Sequence, residues 1–168
     1  MTGTEPARRT SEATETAHAI AGLAQERGVT ITAAESLTSG TIACHLGEAP
    51  ASATWFRGAI VAYTDEVKFD VLGVRRGPVV SAESAGQMAL GAVRLMHADW
   101  AVAVTGSGGP GMAEEQPPGT VFMAVAHGDA VHVEQHRFGG EPGEVLERTT
   151  LAALRMLHDR IDLAAGRV

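Results

Sequence analysis

Three short apolar runs each stop abruptly at a polar loop, and this pattern limits the folds open to the chain. Val29 to Ala34 ends in Glu35-Ser36-Leu37-Thr38-Ser39-Gly40. Ala59 to Tyr63 ends in Thr64-Asp65-Glu66. Trp100 to Val104 ends in Thr105-Gly106-Ser107-Gly108-Gly109-Pro110-Gly111. Helical periodicity resumes after the first two loops, from Thr41 to Leu46 and from Val67 to Leu72. Strand, loop and helix in that order point to parallel strands with covering helices. If the three strands run parallel, their loops converge on one sheet edge, where ligands of such sheets bind.

The remaining pattern completes the architecture. Apolar positions at Ala13, Ala17, Ile20, Ala21, Leu23 and Ala24 predict a helix over Glu12 to Arg27, closed by Gly28. Ser81-Ala82-Glu83-Ser84 reads as the cap of a long helix reaching His97. Val121 to Ala126 and Val131 to Phe138 flank His127-Gly128-Asp129-Ala130, a hairpin signal for an antiparallel pair. A last amphipathic helix is expected from about Glu141 to Ile161. The expected fold is therefore α/β, a three-layer α/β/α sandwich around a mixed β-sheet. One domain over residues 12–165 is expected, with residues 1–11 as a disordered tail.

Composition narrows the function. The chain has 168 residues, 45% of them hydrophobic but only 4% aromatic, so its core must pack from Ala, Val, Leu and Ile. The net charge of −7 argues against a phosphate-backbone binder, so direct nucleic-acid contact is not expected. The single cysteine, Cys44, excludes an intrachain disulfide and fits a reducing compartment. Met1 to Thr16 carries no apolar signal core, and no run is long enough to span a bilayer. A cytoplasmic protein away from the membrane is expected.

Each loop admits two readings. Ser36, Thr38 and Ser39 present hydroxyls for an anion site or a nucleophile, or Ser36 or Thr38 merely caps the next helix. Lys68 lies one turn past Thr64 and can reach back over the loop as a base, or it is a solvated lysine pairing with Asp65 or Glu66. The four glycines among residues 106–111 let backbone N–H groups approach a ligand, or form a mobile turn. That loop is neither a Walker loop nor a Gly-x-Gly-x-x-Gly motif. His132 and His136 fall on one face of a strand without a suggestive carboxylate, so no metal site is expected.

Taken in order, these blocks resemble the C-terminal domain of the competence/damage-inducible CinA family, over about residues 12–160. The carrying segments are Thr32 to Gly40, Trp55-Phe56-Arg57-Gly58 into Tyr63 to Lys68, Val80-Ser81, Thr105 to Pro110, and Pro117 to Val121. The resemblance implies hydrolysis of nicotinamide mononucleotide to nicotinate mononucleotide and ammonia, with no metal or cofactor. It implies Ser36 as nucleophile, Lys68 as base and Tyr63 beside them. Glu35, Thr38, Ser39, Gly40, Thr105, Gly106, Ser107, Gly108 and Gly109 would bind the substrate, a small pyridine nucleotide. Family members also self-associate, so a homo-oligomer is expected. The chain departs from the family pattern at Leu37 (Cys), Ser39 (Gly), Ser107-Gly108 (Ile-Ala), Gln116 (Lys) and Pro142 (Arg). The two lost cations weaken a phosphate subsite. The rival expectation is therefore a divergent, non-catalytic member that binds a nucleotide or a partner protein.

Overall fold

A computed structural model describes residues 5–109 and 114–164. Eleven elements follow in the order α1 (Glu5–Arg27), β1 (Ile31–Glu35), α2 (Thr41–Glu48), α3 (Ser52–Trp55), β2 (Phe56–Val61), α4 (Asp65–Asp70), α5 (Ala82–Met96), β3 (Trp100–Gly106), β4 (Thr120–His127), β5 (Ala130–Arg137) and α6 (Pro142–Ala164). The five strands form one sheet in the order β2-β1-β3-β4-β5. β2, β1 and β3 run parallel, while β4 is antiparallel to β3 and β5 to β4. The mixed sheet and its helical layers agree with the expectation.

Strand alternation sorts the core onto two unlike faces. Ile31, Trp100, Val102, Val104, Met123 and Val125 point to one side, against α1, α2 and α6. Ala34, Ala101, Ala103, Ala124 and Ala126 point to the other, beneath α5. Apart from Phe122, the buried strand residues on that side are alanines, and α5 answers with Ala85, Ala89 and Ala92. Small against small lets helix and sheet approach closely, at the cost of tolerance to added atoms. The start of α5 is fixed by Ser81, whose Oγ accepts a hydrogen bond from the Ser84 N–H at 3.1 Å.

Three differences from the sequence reading have physical causes. The first helix begins at Glu5, so residues 5–11 are not a tail; residues 1–4 lie outside the described residues. Arg9 accounts for the extension. It is 6% exposed, and its guanidinium lies 3.2 Å from Glu147 and 3.9 Å from Glu144 on α6. Second, β2 starts at Phe56 rather than Ala59, after the short α3. Third, the even-numbered residues of β5 do enclose a carboxylate. His132 and His136 stand 3.0 and 2.9 Å from Glu134, and their hydrogen bonds hold that carboxyl below the usual range.

The hairpin turn follows expectation, with Gly128 supplying the positive φ of 56°. No helix among the described residues is long and apolar enough to cross a membrane. A Cβ at Gly91 would overlap the Leu72 carbonyl oxygen. Gly91→Ala is therefore expected to destabilise the fold by about 1–3 kcal/mol in urea unfolding, although alanine is the better helix former. An unchanged midpoint would show that α5 has room to shift.

Candidate active site

Parallel pairing brings the three loops together. The backbone stitches them at one point. Ser36 N–H donates to Val104 O at 3.1 Å, and Ala62 N–H donates to Glu35 O at 2.7 Å. Around this point lies a cavity of about 710 Å³. Its wall takes Ser36, Leu37 and Ser39 from the first loop, Tyr63, Asp65 and Lys68 from the second, and Thr105 to Gly109 from the third. Val79 and Val80 before α5, Glu114, and the first turn of α6 complete it. Gly111 lies outside the described residues.

Glu35 organises the first loop from behind. Its side chain is fully buried, and four donors converge on its carboxyl oxygens. Thr38 Oγ1 donates at 2.6 Å, and the N–H groups of Gly40, Ile42 and Ala43 donate at 3.1, 3.1 and 2.7 Å. Thr41 N–H is taken by Thr38 O. The opening turn of α2 is thus fully satisfied from within, by a residue outside the helix. No donor at that helix start is left for a ligand, so any anion contact from this loop falls to the residues before it. Glu35, Thr38 and Gly40, expected at the substrate, stand behind the cavity wall, and the Glu35 and Thr38 side-chain groups bond within the loop. Ser36 and Ser39 remain on the wall.

The second loop is decided by Lys68, which is 2% exposed and not a solvated lysine. Thr64 precedes α4 at its N-cap position, without a side-chain cap. Lys68 Nζ lies 3.3 Å from Tyr63 O and 3.5 Å from Asp65 Oδ1. It is Tyr63's carbonyl, rather than its phenol, that meets the lysine, and the Tyr63 side chain is 66% exposed at the cavity rim. Among the described residues no direct hydrogen bond joins Ser36 and Lys68; they share the cavity. In the third loop, Thr105 Oγ1 is committed to Val79 O at 2.8 Å. Ser107 is held through its backbone, donating to Thr120 O and accepting from Gly119 N–H. A Cβ at Gly106 would press on Thr120 O, so β3 and β4 require glycine there. Gly108 lies against Leu37, and no backbone acceptor takes the N–H of either residue among the described residues.

The departures from the family pattern now have locations. Ser39 adopts φ 51°, a left-handed conformation that suits glycine. Pro142 occupies the first position of α6 and lines the cavity, where its fixed φ suits a helix start. Gln116 is not on the wall, whereas Glu114 is. Sequence reasoning missed Glu114, since a pair of acids, Glu114-Glu115, in an irregular stretch carries no signal. The charged wall residues are Asp65, Lys68 and Glu114.

Two substitutions test this construction. Glu35→Ala strands three backbone donors and should cost about 3 kcal/mol or more, and Glu35→Gln, which turns one acceptor into a donor, somewhat less. Chemical denaturation of both variants gives the answer, and wild-type stability in Glu35→Ala would refute the capping role. Ser39→Gly relieves the left-handed backbone and should raise stability by up to about 1 kcal/mol in the same assay.

The family model of the CinA C-terminal domain matches residues 13–161. A CinA-like protein of Thermosynechococcus vestitus is 38% identical over 152 residues, covering 84% of this chain and 36% of its own length. One from Geotalea daltonii is 40% identical over 144 residues, covering 82% and 35%. The chain thus spans about a third of the length of these curated relatives. Among solved structures, a competence-damaged protein (CinA) superfamily protein from Klebsiella pneumoniae superposes with TM-score 0.86 at 29% identity, covering 89% of this chain and 98% of that one. The competence/damage inducible protein CihA from Agrobacterium tumefaciens gives 0.84 at 34% identity, covering 90% and 96%. With the motif order, the sheet topology and these matches in agreement, the chain belongs to the CinA C-terminal domain family.

Proposed function

We propose that this domain is a serine amidase that hydrolyses the carboxamide of nicotinamide mononucleotide. The observation that carries this reading is the meeting of Ser36 and the buried Lys68 on one cavity wall, although they are far apart in sequence. Ser36 Oγ attacks the carboxamide carbon as its proton passes to Lys68 Nζ. A lysine stripped of water is the kind of base that serine nucleophiles use. The tetrahedral oxyanion is met by the free N–H groups of Leu37 and Gly108. Lys68 then returns the proton to the leaving nitrogen, and ammonia departs from an acyl-Ser36. Water attacks the ester, its proton goes to Lys68 and from there to the departing Ser36 Oγ, and nicotinate mononucleotide leaves with both groups restored.

Tyr63 lies at the entrance and its carbonyl positions the Lys68 ammonium or amine. Ser39, Gly106, Ser107 and Gly109 line the substrate side. A second reading, ligand binding without turnover, draws on Ser39 and Pro142, two departures from the family pattern that line the cavity.

Ammonia release from nicotinamide mononucleotide by the purified protein tests the proposal. Ser36→Ala and Lys68→Ala should each lower kcat by about 10³-fold or more while leaving the fold intact by circular dichroism. Thermal stabilisation by the nucleotide without ammonia would support binding alone. Normal turnover in both variants would remove the Ser36–Lys68 assignment.

A further inference from the structure

We propose that the trench between β5 and α6 is a second ligand site, separate from the Ser36 cavity, for a small organic anion that carries a carboxylate or phosphate on an apolar body.

The fold opens this trench by covering its outer strand on one face only. On the alanine side α5 reaches β5, where Gly86 lies against Val131 and Val133. On the opposite side α6 packs over β3 and β4, and the even-numbered residues of β5 face the open space beside it. That space is a cavity of about 510 Å³, within the range of small-molecule sites. Phe138, Leu151, Met156 and Leu163 give it an apolar lining, and the His136 ring stacks on Phe138 with centroids 5.5 Å apart.

The charge in the trench runs against that of the molecule. A chain of net charge −7 places three of its 13 basic side chains, Arg148, Arg155 and Arg160, along this one hollow. Two acids share the wall, but each already has a histidine. Glu134 accepts a ring N–H from His132 at 3.0 Å on one oxygen and from His136 at 2.9 Å on the other. Asp159 lies 3.0 Å from His158. Arg148 donates to Gly139 O at 2.8 Å and stands 4.0 Å from Glu144, and Arg155 pairs with Glu12 at 3.0 Å. Arg160 is half-buried and has neither a hydrogen bond nor an ion pair among the described residues. Its guanidinium fork matches the paired oxygens of a carboxylate or phosphate. With five N–H donors each, Arg148 and Arg155 can share the same anion without giving up their present partners. The acid group of the ligand takes Arg160, and its body covers the apolar lining.

Calorimetric titration of the unmodified protein with phenyl phosphate and with benzoate tests the site, with inorganic phosphate and phenol as the separate halves. At least one ring-bearing anion should bind about tenfold or more tighter than either half, and the tighter of the two identifies the acid group. Arg160→Met keeps an apolar stem, removes the charge, and is expected to weaken that anion about tenfold. Ala152→Phe, which fills the hollow from its α6 wall, should abolish binding while circular dichroism shows the fold retained. Lys68→Ala, in the other cavity, should leave the affinity unchanged. Backbone amide shifts on titration should gather at residues 132–138 and 148–160. No detectable binding of either anion, full affinity in Arg160→Met, or shifts confined to the loops around Ser36 would each overturn the proposal.

Discussion

A single buried carboxylate sets the geometry on which the candidate site depends. Glu35 ends the central strand β1 and turns its side chain back into four donors, three of them the backbone of the following turn and helix. Burying such a group is unfavourable unless its acceptors are filled, and here they are. The same contacts remove the unsatisfied donors of the α2 start, so two desolvation costs cancel. The result is a loop tied at both ends, with Ser36 between them. Its backbone N–H is tied to β3 and its side chain is left at the cavity. In the proposed reaction, a hydroxyl held this way needs little reorganisation to react.

The sheet's two faces serve this loop differently. The bulky face against α1, α2 and α6 supplies most of the large buried side chains. The alanine face brings α5 close, and with it Val79 and Val80, the segment that Thr105 and Glu114 grip through hydrogen bonds. Close packing on that side therefore fixes one wall of the cavity. Lys68 comes from a helix of only six residues, of which it is the one buried side chain.

Much of this was legible in the chain because the signals were local. The strand–loop–helix units, the Ser81 cap and the Gly128 turn each declare themselves within a few residues, and parallel pairing followed from their order. What stayed hidden depended on partners far away. The start of α1 is set by Arg9 meeting Glu144 and Glu147, more than 130 positions on. Glu35 and Thr38 looked like ligand contacts because a polar loop at a strand end usually offers some, and only the fold reveals that they bond to each other. Lys68 had no sequence mark separating a buried base from a surface cation. Glu114 had none at all, since its importance lies in the backbone N–H it reaches.

The first turn of α6, with Pro142, Gly143 and Leu146, closes one side of the cavity. Ser36 and Lys68, in contrast, lie within the first half of the chain. During synthesis Ser36 and Lys68 thus emerge long before the helix that closes the cavity. β1 must also wait for β3, so these pairings are non-local and slow to form. Incomplete chains lack this side of the enclosure, and the cavity is whole only once α6 has docked.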